Sequence, residues 1–272
     1  MEEWLKVIIQ GIVQGFTEFL PVSSTGHLLI VSDLINFDFI EPGTFEIFIQ
    51  IGTLFAIIAF YRNDLWQQVK NVKHDPAIQR FWLNILVASI PIAVLGFLLL
   101  DFIMDDLLAD QTMRGWVIAI TLILGGVIFL WIERRPRTAS EQLTTHLTDI
   151  TLMQACWVGI AQIFALIPGT SRSGATIVGG LLAKLDRPTA TQFSFYLSIP
   201  ALGGATILTF LFNLDELDTN GLLYLLGGAI VSAVVAWVTI DWLLRYISRH
   251  NFVLFGYYRI IIGIILMIWL LI

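Results

Sequence analysis

Long apolar runs separated by short polar stretches dominate this chain. A helix needs roughly 20 mostly apolar residues to cross a bilayer, and no alternating strand pattern appears in the sequence. The pattern therefore predicts an all-α polytopic membrane protein with about six transmembrane helices. The predicted spans cover residues 44–61, 82–100, 115–132, 190–212, 221–244 and 254–272.

Two further apolar regions are interrupted by polar residues, and each half is too short to span comfortably. The first, residues 5–37, is broken by P-V-S-S-T-G beginning at Pro21. The second, residues 151–184, is broken by P-G-T-S-R-S-G beginning at Pro168. Because proline and glycine interrupt helices, each region is predicted to fold as two short helices joined at a break.

The two broken regions resemble each other. G-I-V-Q-G-F matches G-I-A-Q-I-F, and F-E-I-F-I-Q-I matches F-S-F-Y-L-S-I, both at an offset of 148 residues. Pro21 and Pro168 match at an offset of 147, as do Ser24 and Ser171. Broken helices in corresponding places of an internal repeat indicate a binding site at the repeat interface.

Loop charge predicts the orientation, because cytoplasmic loops collect Lys and Arg. The loops at 62–80, 133–149 and 245–253 are basic, whereas those at 101–114 and 213–220 are acidic. All basic loops share one side only if the second broken region enters and leaves the membrane on the same face. By the repeat, the first region does so from the opposite face, which predicts two re-entrant helical hairpins.

The chain is thus predicted to form a single membrane domain of two inverted repeats. They are residues 1–133 and 149–272, joined by a basic cytoplasmic loop at 134–148. Both termini are predicted to lie outside.

Composition supports the membrane assignment and narrows the function. Charged residues make up 13% of the chain, about half the roughly 25% of a soluble domain. The net charge of −6 argues against a nucleic-acid partner. The single cysteine, Cys156, excludes a disulfide framework or a cysteine zinc site.

Polar side chains concentrate at the two breaks, in E-F-L-P-V-S-S-T-G-H and P-G-T-S-R-S-G-A-T. Irregular backbone at membrane depth is tolerated only when it is buried in protein or lines a wet cavity. Two inverted hairpins would bring both breaks together near the midplane. The polar residues so collected are Gln14, Glu18, Ser23, Ser24, Thr25, His27, Thr170, Ser171, Arg172, Ser173 and Thr176.

These residue types favour phosphoryl transfer. Each break opens into a helix, whose free N–H groups suit an oxyanion, and Arg172 adds a planar fork that matches phosphate. His27 lies three residues after Ser24 and is a candidate to activate its hydroxyl. Glu18 is a candidate proton acceptor or ligand of a divalent cation. A nucleophile, a base and an oxyanion cradle together predict a phosphatase chemistry.

Plainer roles stay open for several of these residues. Hydroxyls before a helix are commonly N-caps, which applies to Ser23, Thr25, Thr170 and Ser173. His27 alone is also compatible with a core histidine. Arg259 fits either an interfacial anchor beside Tyr257 and Tyr258 or a second phosphate clamp, and Glu46 is ambiguous. A transporter is the alternative function, since broken inverted repeats are typical of transporters.

The two motifs, with F-E-I-F-I-Q-I-G and F-G-Y-Y-R-I, resemble the bacterial undecaprenyl-diphosphate phosphatase family, which is also known for bacitracin resistance. The resemblance covers essentially the whole chain. It implies hydrolysis of the lipid undecaprenyl diphosphate to undecaprenyl phosphate and inorganic phosphate, which recycles the carrier for cell-wall glycans. It further implies a multi-pass protein of the bacterial inner membrane, surrounded by lipid, with a site open to the outer face. A homodimer is a candidate assembly.

The resemblance also implies roles for particular residues. The family's catalytic serine and histidine fall on Ser24 and His27, with Glu18 as the acidic residue. Mg²⁺ or Ca²⁺ is implied as cofactor, with Glu18 and Gln14 at the family's metal-binding positions, although Gln14 leaves one carboxylate where some relatives have two. Attack by Ser24 and attack by a metal-activated water both remain open. The implied phosphate-binding residues are Ser171, Arg172, Thr176 and Arg259, and Asp149 is implied as a supporting residue. Thr25 and Ser173 are further candidates for phosphate binding, and Glu46 is a further candidate for a supporting role.

Overall fold

The computed structural model describes residues 2–37, 44–99, 110–135, 142–213 and 219–272. Eleven α-helices form these parts of the chain, together with short 3₁₀ turns and one isolated bridge between Thr144 and Leu185. The helices are α1 Glu2–Thr17, α2 Ser24–Ile35, α3 Thr44–Phe60, α4 Arg62–Asn71, α5 Pro76–Leu98, α6 Gln111–Arg134, α7 Leu152–Ile163, α8 Arg172–Leu182, α9 Arg187–Asn213, α10 Thr219–Ile247 and α11 Val253–Leu271.

The described helices face outward with apolar side chains, as in a membrane protein. Four stretches are long and apolar enough to cross a bilayer, and only 22–33% of each is buried within the protein. Phe97 is 79% exposed and Ile230 is 65% exposed, a distribution that water would not favour but lipid does. The protein is therefore an all-α, multi-pass membrane protein. The four stretches are Pro76–Leu98, Thr112–Arg134, Gly221–Ile247 and Val253–Leu271.

Helices occur at all six predicted spans, as α3, α5, α6, α9, α10 and α11. Both predicted breaks are also present, between α1 and α2 and between α7 and α8. The two predicted acidic loops lie mostly outside the described part of the chain, at residues 101–109 and 214–218.

The predicted loop at 62–80 is wrong for much of its length. Residues 62–71 form α4, and α5 already begins at Pro76. Two hydrogen bonds fasten α4 to α9: the Tyr196 hydroxyl donates to Asp64, and Gln68 Nε2 donates to the Tyr196 hydroxyl at 3.4 Å. Only three residues of this short helix are apolar, Leu65, Trp66 and Val69, too few for the sequence pattern to reveal it.

Helices from each half of the chain pack against helices from the other half. The first hairpin packs through α1 on α10, and the second packs through α7 on α5. Helices α3 and α9 contact each other across the halves, as do α6 and α11. Matching glycines allow the two hairpin contacts: a Cβ at Gly11 would lie 2.8 Å from the Gly228 carbonyl oxygen, and one at Gly159 would lie 2.7 Å from the Ala88 carbonyl oxygen. Small residues bring membrane helices this close.

Candidate active site

The two helix breaks touch each other in the interior of the protein. The Ser173 hydroxyl, in the second hairpin, donates to the Leu20 carbonyl in the first at 2.9 Å. Arg259 of α11 bridges both breaks, since its Nη1 donates to the Pro21 carbonyl at 3.2 Å and its Nη2 to the Gly169 carbonyl at 3.0 Å. The prediction that sequence-distant polar runs meet at one place is confirmed.

A serine in an unusual backbone conformation opens the second helix of each hairpin. Ser23 has φ 76° and Ser171 has φ 72°, a left-handed region that non-glycine residues rarely adopt and that clusters at functional sites. Each side chain caps its helix, accepting from the backbone N–H of Gly26 at 3.4 Å and of Gly174 at 3.1 Å. The N-cap interpretation of Ser23 is therefore confirmed.

This shared conformation corrects the alignment of the repeat. Ser23, and not Ser24, corresponds to Ser171, so the offset of 148 residues continues through the break. Ser24 then corresponds to Arg172, and both occupy the first position of their helices. The two hairpins thus place a hydroxyl and a guanidinium at equivalent points of one site.

Glu18 is the centre of the hydrogen-bond network. Its Oε2 accepts from the Ser24 hydroxyl at 2.7 Å and from Gln14 Nε2 at 3.0 Å. Its Oε1 forms an ion pair with Arg172 Nη2 at 3.1 Å. The carboxylate is 5% exposed, so a cation and two neutral donors offset the cost of burying its charge.

Arg172 is held on two sides and offers one further donor. Its Nη1 donates to the Ser194 carbonyl of α9 at 3.1 Å, and its Nη2 faces Glu18. Its Nε is buried and has no hydrogen-bond partner. Because a buried N–H without a partner costs free energy, this donor suits an incoming acceptor such as a phosphate oxygen.

These groups surround a small cavity of about 120 Å³. Six of the polar residues predicted to meet there line it, namely Glu18, Ser23, Ser24, Thr25, Ser171 and Arg172. Gln50 of α3 and Leu202 of α9 also line the cavity and were not predicted. Gln50 had a detectable signal, because it is a polar residue inside an apolar span, within the repeated F-E-I-F-I-Q-I.

His27 does not contact Ser24 through a hydrogen bond in this structure. Its Nδ1 lies 2.7 Å from the Ser23 carbonyl oxygen, and its Nε2 lies 2.7 Å from the Tyr258 hydroxyl. A neutral imidazole with its proton on Nδ1 satisfies both contacts, as a donor and an acceptor. Through these contacts His27 links Ser23 to Tyr258 of α11. The base that Ser24 contacts is Glu18.

Three predicted phosphate-binding residues lie outside the cavity lining. Thr176 is 1% exposed, and its hydroxyl contacts the Ser194 hydroxyl at 2.6 Å. Ser173 is also 1% exposed and is bonded to the first hairpin. Arg259 is fully buried. Thr176 and Ser173 therefore support the cradle from behind, where neither is placed to touch a ligand.

Arg259 donates four hydrogen bonds to backbone carbonyls. Besides the two helix breaks, its Nη2 donates to Thr121 at 3.1 Å and its Nε donates to Leu122 at 3.4 Å, both on α6. Gly125 makes room for it, since a Cβ there would lie 2.3 Å from Arg259 Nη2. The contacts favour a role in joining the two hairpins to α6 over either an interfacial anchor or a phosphate clamp.

The remaining predicted residues lie at varied distances from the site. Gln14 is fully buried and contacts Glu18, but it does not line the cavity. Asp149 is exposed in a 3₁₀ turn before α7. Glu46 lines a different cavity of about 510 Å³, between α2, α3, α6 and α11.

The site has one carboxylate for a divalent cation. Among the described residues, no group of three His, Cys, Asp or Glu could hold a metal ion. Gln14 turns its NH₂ toward Glu18, which does not place its oxygen beside the carboxylate as a second ligand. Mg²⁺ is commonly bound through one or two carboxylates plus substrate phosphates. Glu18 fits that mode, with the other ligands supplied by a phosphate-bearing substrate and water.

The fold and site define a helical integral membrane protein in which a buried carboxylate meets a partly buried serine and arginine at two helix breaks. The family model described as bacitracin resistance protein BacA matches residues 7–265. The chain belongs to this family.

Curated relatives agree in sequence over nearly their full length. A protein of Albidiferax ferrireducens named undecaprenyl-diphosphatase is 43% identical over 268 residues, covering 97% of this chain and 94% of the relative. A protein of the same name from Deinococcus radiodurans is 41% identical over 269 residues, covering 98% and 95%. A third, from Janthinobacterium sp., is 42% identical over 270 residues, covering 97% and 94%.

Proposed function

We propose that this protein is a membrane-embedded phosphatase that hydrolyses undecaprenyl diphosphate to undecaprenyl phosphate and inorganic phosphate. The observation that carries the proposal is the Ser24–Glu18–Arg172 arrangement: a hydroxyl bonded to a carboxylate, beside a guanidinium with a free N–H. The names of the relatives supply the substrate. The reaction recycles the lipid carrier for cell-wall glycans and so confers bacitracin resistance.

The first chemical step is proposed to be attack by Ser24. Its Oγ attacks the terminal phosphorus while the hydroxyl proton passes to Glu18 Oε2, 2.7 Å away. The bond between that phosphorus and the bridging oxygen breaks, and undecaprenyl phosphate leaves. Arg172 and the N–H groups at the start of α8 stabilise the charge on the phosphate oxygens.

The second step returns the enzyme to its initial state. Before this step Glu18 has given the proton from Ser24 to the departing undecaprenyl phosphate and is a carboxylate again. A water molecule then attacks the phosphoserine and gives a proton to Glu18, the bond from phosphorus to Ser24 Oγ breaks, and inorganic phosphate is released. Ser24 recovers its proton. Two steps that share one carboxylate as base are the usual logic of covalent catalysis.

Mg²⁺ or Ca²⁺ is proposed to accompany the diphosphate, with Glu18 as its one protein carboxylate. When bound, the cation neutralises charge on the phosphate oxygens. The protein's own contribution is the orientation of that carboxylate, which Arg172, Gln14 and Ser24 fix from three sides.

A detergent assay tests the proposed activity. The purified protein should release inorganic phosphate from undecaprenyl diphosphate in detergent, where no compartments exist, and a chelator should suppress the release. A transporter, the alternative for this architecture, would release none. The absence of phosphate release from folded protein, with or without added Mg²⁺, would reject the proposed function.

The proposed topology places two inverted repeats in the bacterial inner membrane, with re-entrant hairpins and the site open to the outer face. The exchange of helix partners between the halves supports the repeat, and the basic residues of α4 and of the α10–α11 turn support the orientation.

Cysteine labelling tests this topology. In a background with Cys156 replaced by serine, cysteines at Asp110 and Ile272, both exposed, should react with an impermeant thiol reagent from outside. Cysteines at Lys70 and Arg249, also exposed, should react only after the membrane is opened. Labelling of positions 110 and 272 from opposite faces would contradict the inverted repeat.

A further inference from the structure

A buried polar seam leads away from the catalytic carboxylate along the contact between α1 and α2. Gln10 and Gln14 lie one turn apart on α1 and are 1% and 0% exposed. Gln10 Nε2 donates to the Ser32 hydroxyl at 2.7 Å and to the Leu28 carbonyl at 3.4 Å. Gln14 Nε2 donates to Glu18. The seam thus ends at Glu18.

Both glutamines bury an amide oxygen that has no hydrogen-bond partner. Rotating either amide would not remove the problem. The Glu18 carboxylate is an acceptor only, so the Gln14 NH₂ must face it. Rotating Gln10 would let its oxygen accept from the Ser32 hydroxyl, but its NH₂ would then lose both of its present acceptors, Ser32 and the Leu28 carbonyl. The two oxygens are therefore fixed as unsatisfied acceptors, and an unsatisfied buried acceptor is costly.

The corresponding positions of the second hairpin are apolar, so the packing of such a hairpin does not require polar residues there. At the offset of 148 residues, the counterparts of Gln10 and Ser32 are Val158 and Gly180, both buried. In that hairpin Val158 faces Gly179, where a Cβ would lie 3.3 Å from Val158 Cα, and Gly180 faces Ala190 of α9. The polar pair occurs only in the hairpin that carries the carboxylate.

We propose that one ordered water molecule lies between Gln10 and Gln14 and donates its two hydrogens to their two amide oxygens. Side chains four apart on a helix are neighbours, and buried waters typically satisfy such groups. A water has two donors, which matches the two acceptors left over. The water site belongs to the protein itself and requires Gln10, held in place by Ser32.

This water positions the catalytic base, an inference that rests on the proposed function of Glu18. By holding the Gln14 oxygen, it keeps the Gln14 NH₂ directed at Glu18 Oε2, the same oxygen that accepts from Ser24. Gln10 is therefore a positioning residue, which acts on Glu18 only through the water and Gln14.

The test is a double-mutant cycle measured on hydrolysis in detergent. Gln10→Val, which introduces the residue found in the second hairpin, should lower kcat about tenfold with little change in KM, as expected for a weakened hydrogen bond to a charged group. Gln14→Leu should cost at least as much. Combining the two should cost no more than Gln14→Leu alone, because residues acting in series are non-additive.

Two further variants separate this role from a loss of folding. Ser32→Gly, which introduces the counterpart residue of the second hairpin, should lower kcat in the same direction as Gln10→Val. Gln162→Leu removes the counterpart of Gln14, also fully buried with an unpaired oxygen, and should leave kcat unchanged. Parental kcat in Gln10→Val, or losses that add in the double variant, would overturn the inference. An inactive parent would instead reject the proposed function.

Discussion

Ser24→Ala should reduce turnover of undecaprenyl diphosphate by at least about 10³-fold, with substrate binding largely retained. The variant removes the proposed nucleophile but leaves Arg172, Glu18 and the helix N-termini in place, and losing a nucleophile costs far more than losing one contact. Rapid quench with a radiolabelled terminal phosphate should trap a phosphoserine at position 24 in the parent protein and none in the variant.

Variants of Glu18 and His27 distinguish attack by Ser24 from attack by a metal-activated water. If Glu18 is the base, Glu18→Gln should be nearly as damaging as Ser24→Ala, and the double variant should lose little more. His27→Ala serves as the comparison, because His27 contacts Ser23 and Tyr258 and not Ser24. It should cost less than the range of about 10²–10⁴ for removing a general base, and Tyr258→Phe should resemble it. Substantial turnover by Ser24→Ala, with no trapped phosphoenzyme in the parent, would favour attack by a metal-activated water.

Local features of the sequence predicted the helices and the breaks. Apolar runs mark helices whose side chains mostly face lipid, which is why a helix lies at each of the six predicted spans. Proline and glycine mark the breaks at Pro21 and Pro168 because they act within a few residues. The α4 helix was missed because a hydrogen bond from Tyr196, far away in the chain, holds it to α9.

The partners of the polar side chains were not predictable from spacing. Ser24 and His27 are three apart on one helix, which suggested a pair, but the backbone break brings Glu18 to Ser24 and leaves His27 facing Tyr258. Arg259 reads as an anchor or a clamp in sequence, and only the folded chain shows four carbonyls around it. Long-range contacts decided both cases.

The internal match predicted that the two breaks meet, which neither motif alone indicated. It placed Glu18 and Arg172 together although 154 residues separate them. The matched segments also contain Glu46 and its counterpart Ser194, at the offset of 148. The carbonyl of Ser194 accepts a hydrogen bond from Arg172. Gln50 lies four positions after Glu46 in the same segment and lines the cavity. Polar residues inside the matched apolar spans therefore indicate site residues, as the two breaks do.

Arg172→Lys should lower kcat/KM by about 10²-fold, although it preserves the positive charge. The guanidinium directs Nη2 to Glu18 and Nη1 to the Ser194 carbonyl, and its buried Nε has no partner in the protein; we propose that this Nε donates to the substrate phosphate. A lysine ammonium cannot hold all three directions at once, and a lost charge-assisted contact is worth about 1.5–3 kcal/mol. Inhibition by inorganic phosphate should weaken as well, so its inhibition constant should rise as kcat/KM falls.

Arg187→Lys supplies the matched control for this experiment. Arg187 also uses its fork, donating to both oxygens of Glu133 with Nε at 2.9 Å from Oε1, but it joins the ends of α6 and α9 remote from the cavity. It should lower thermal stability slightly and leave phosphate inhibition unchanged. If Arg172→Lys kept parental kcat/KM and parental phosphate inhibition, the planar fork would not be what recognises the substrate. The N–H groups at the start of α8 would then carry that recognition, because they are the other donors in the second hairpin directed toward an oxyanion.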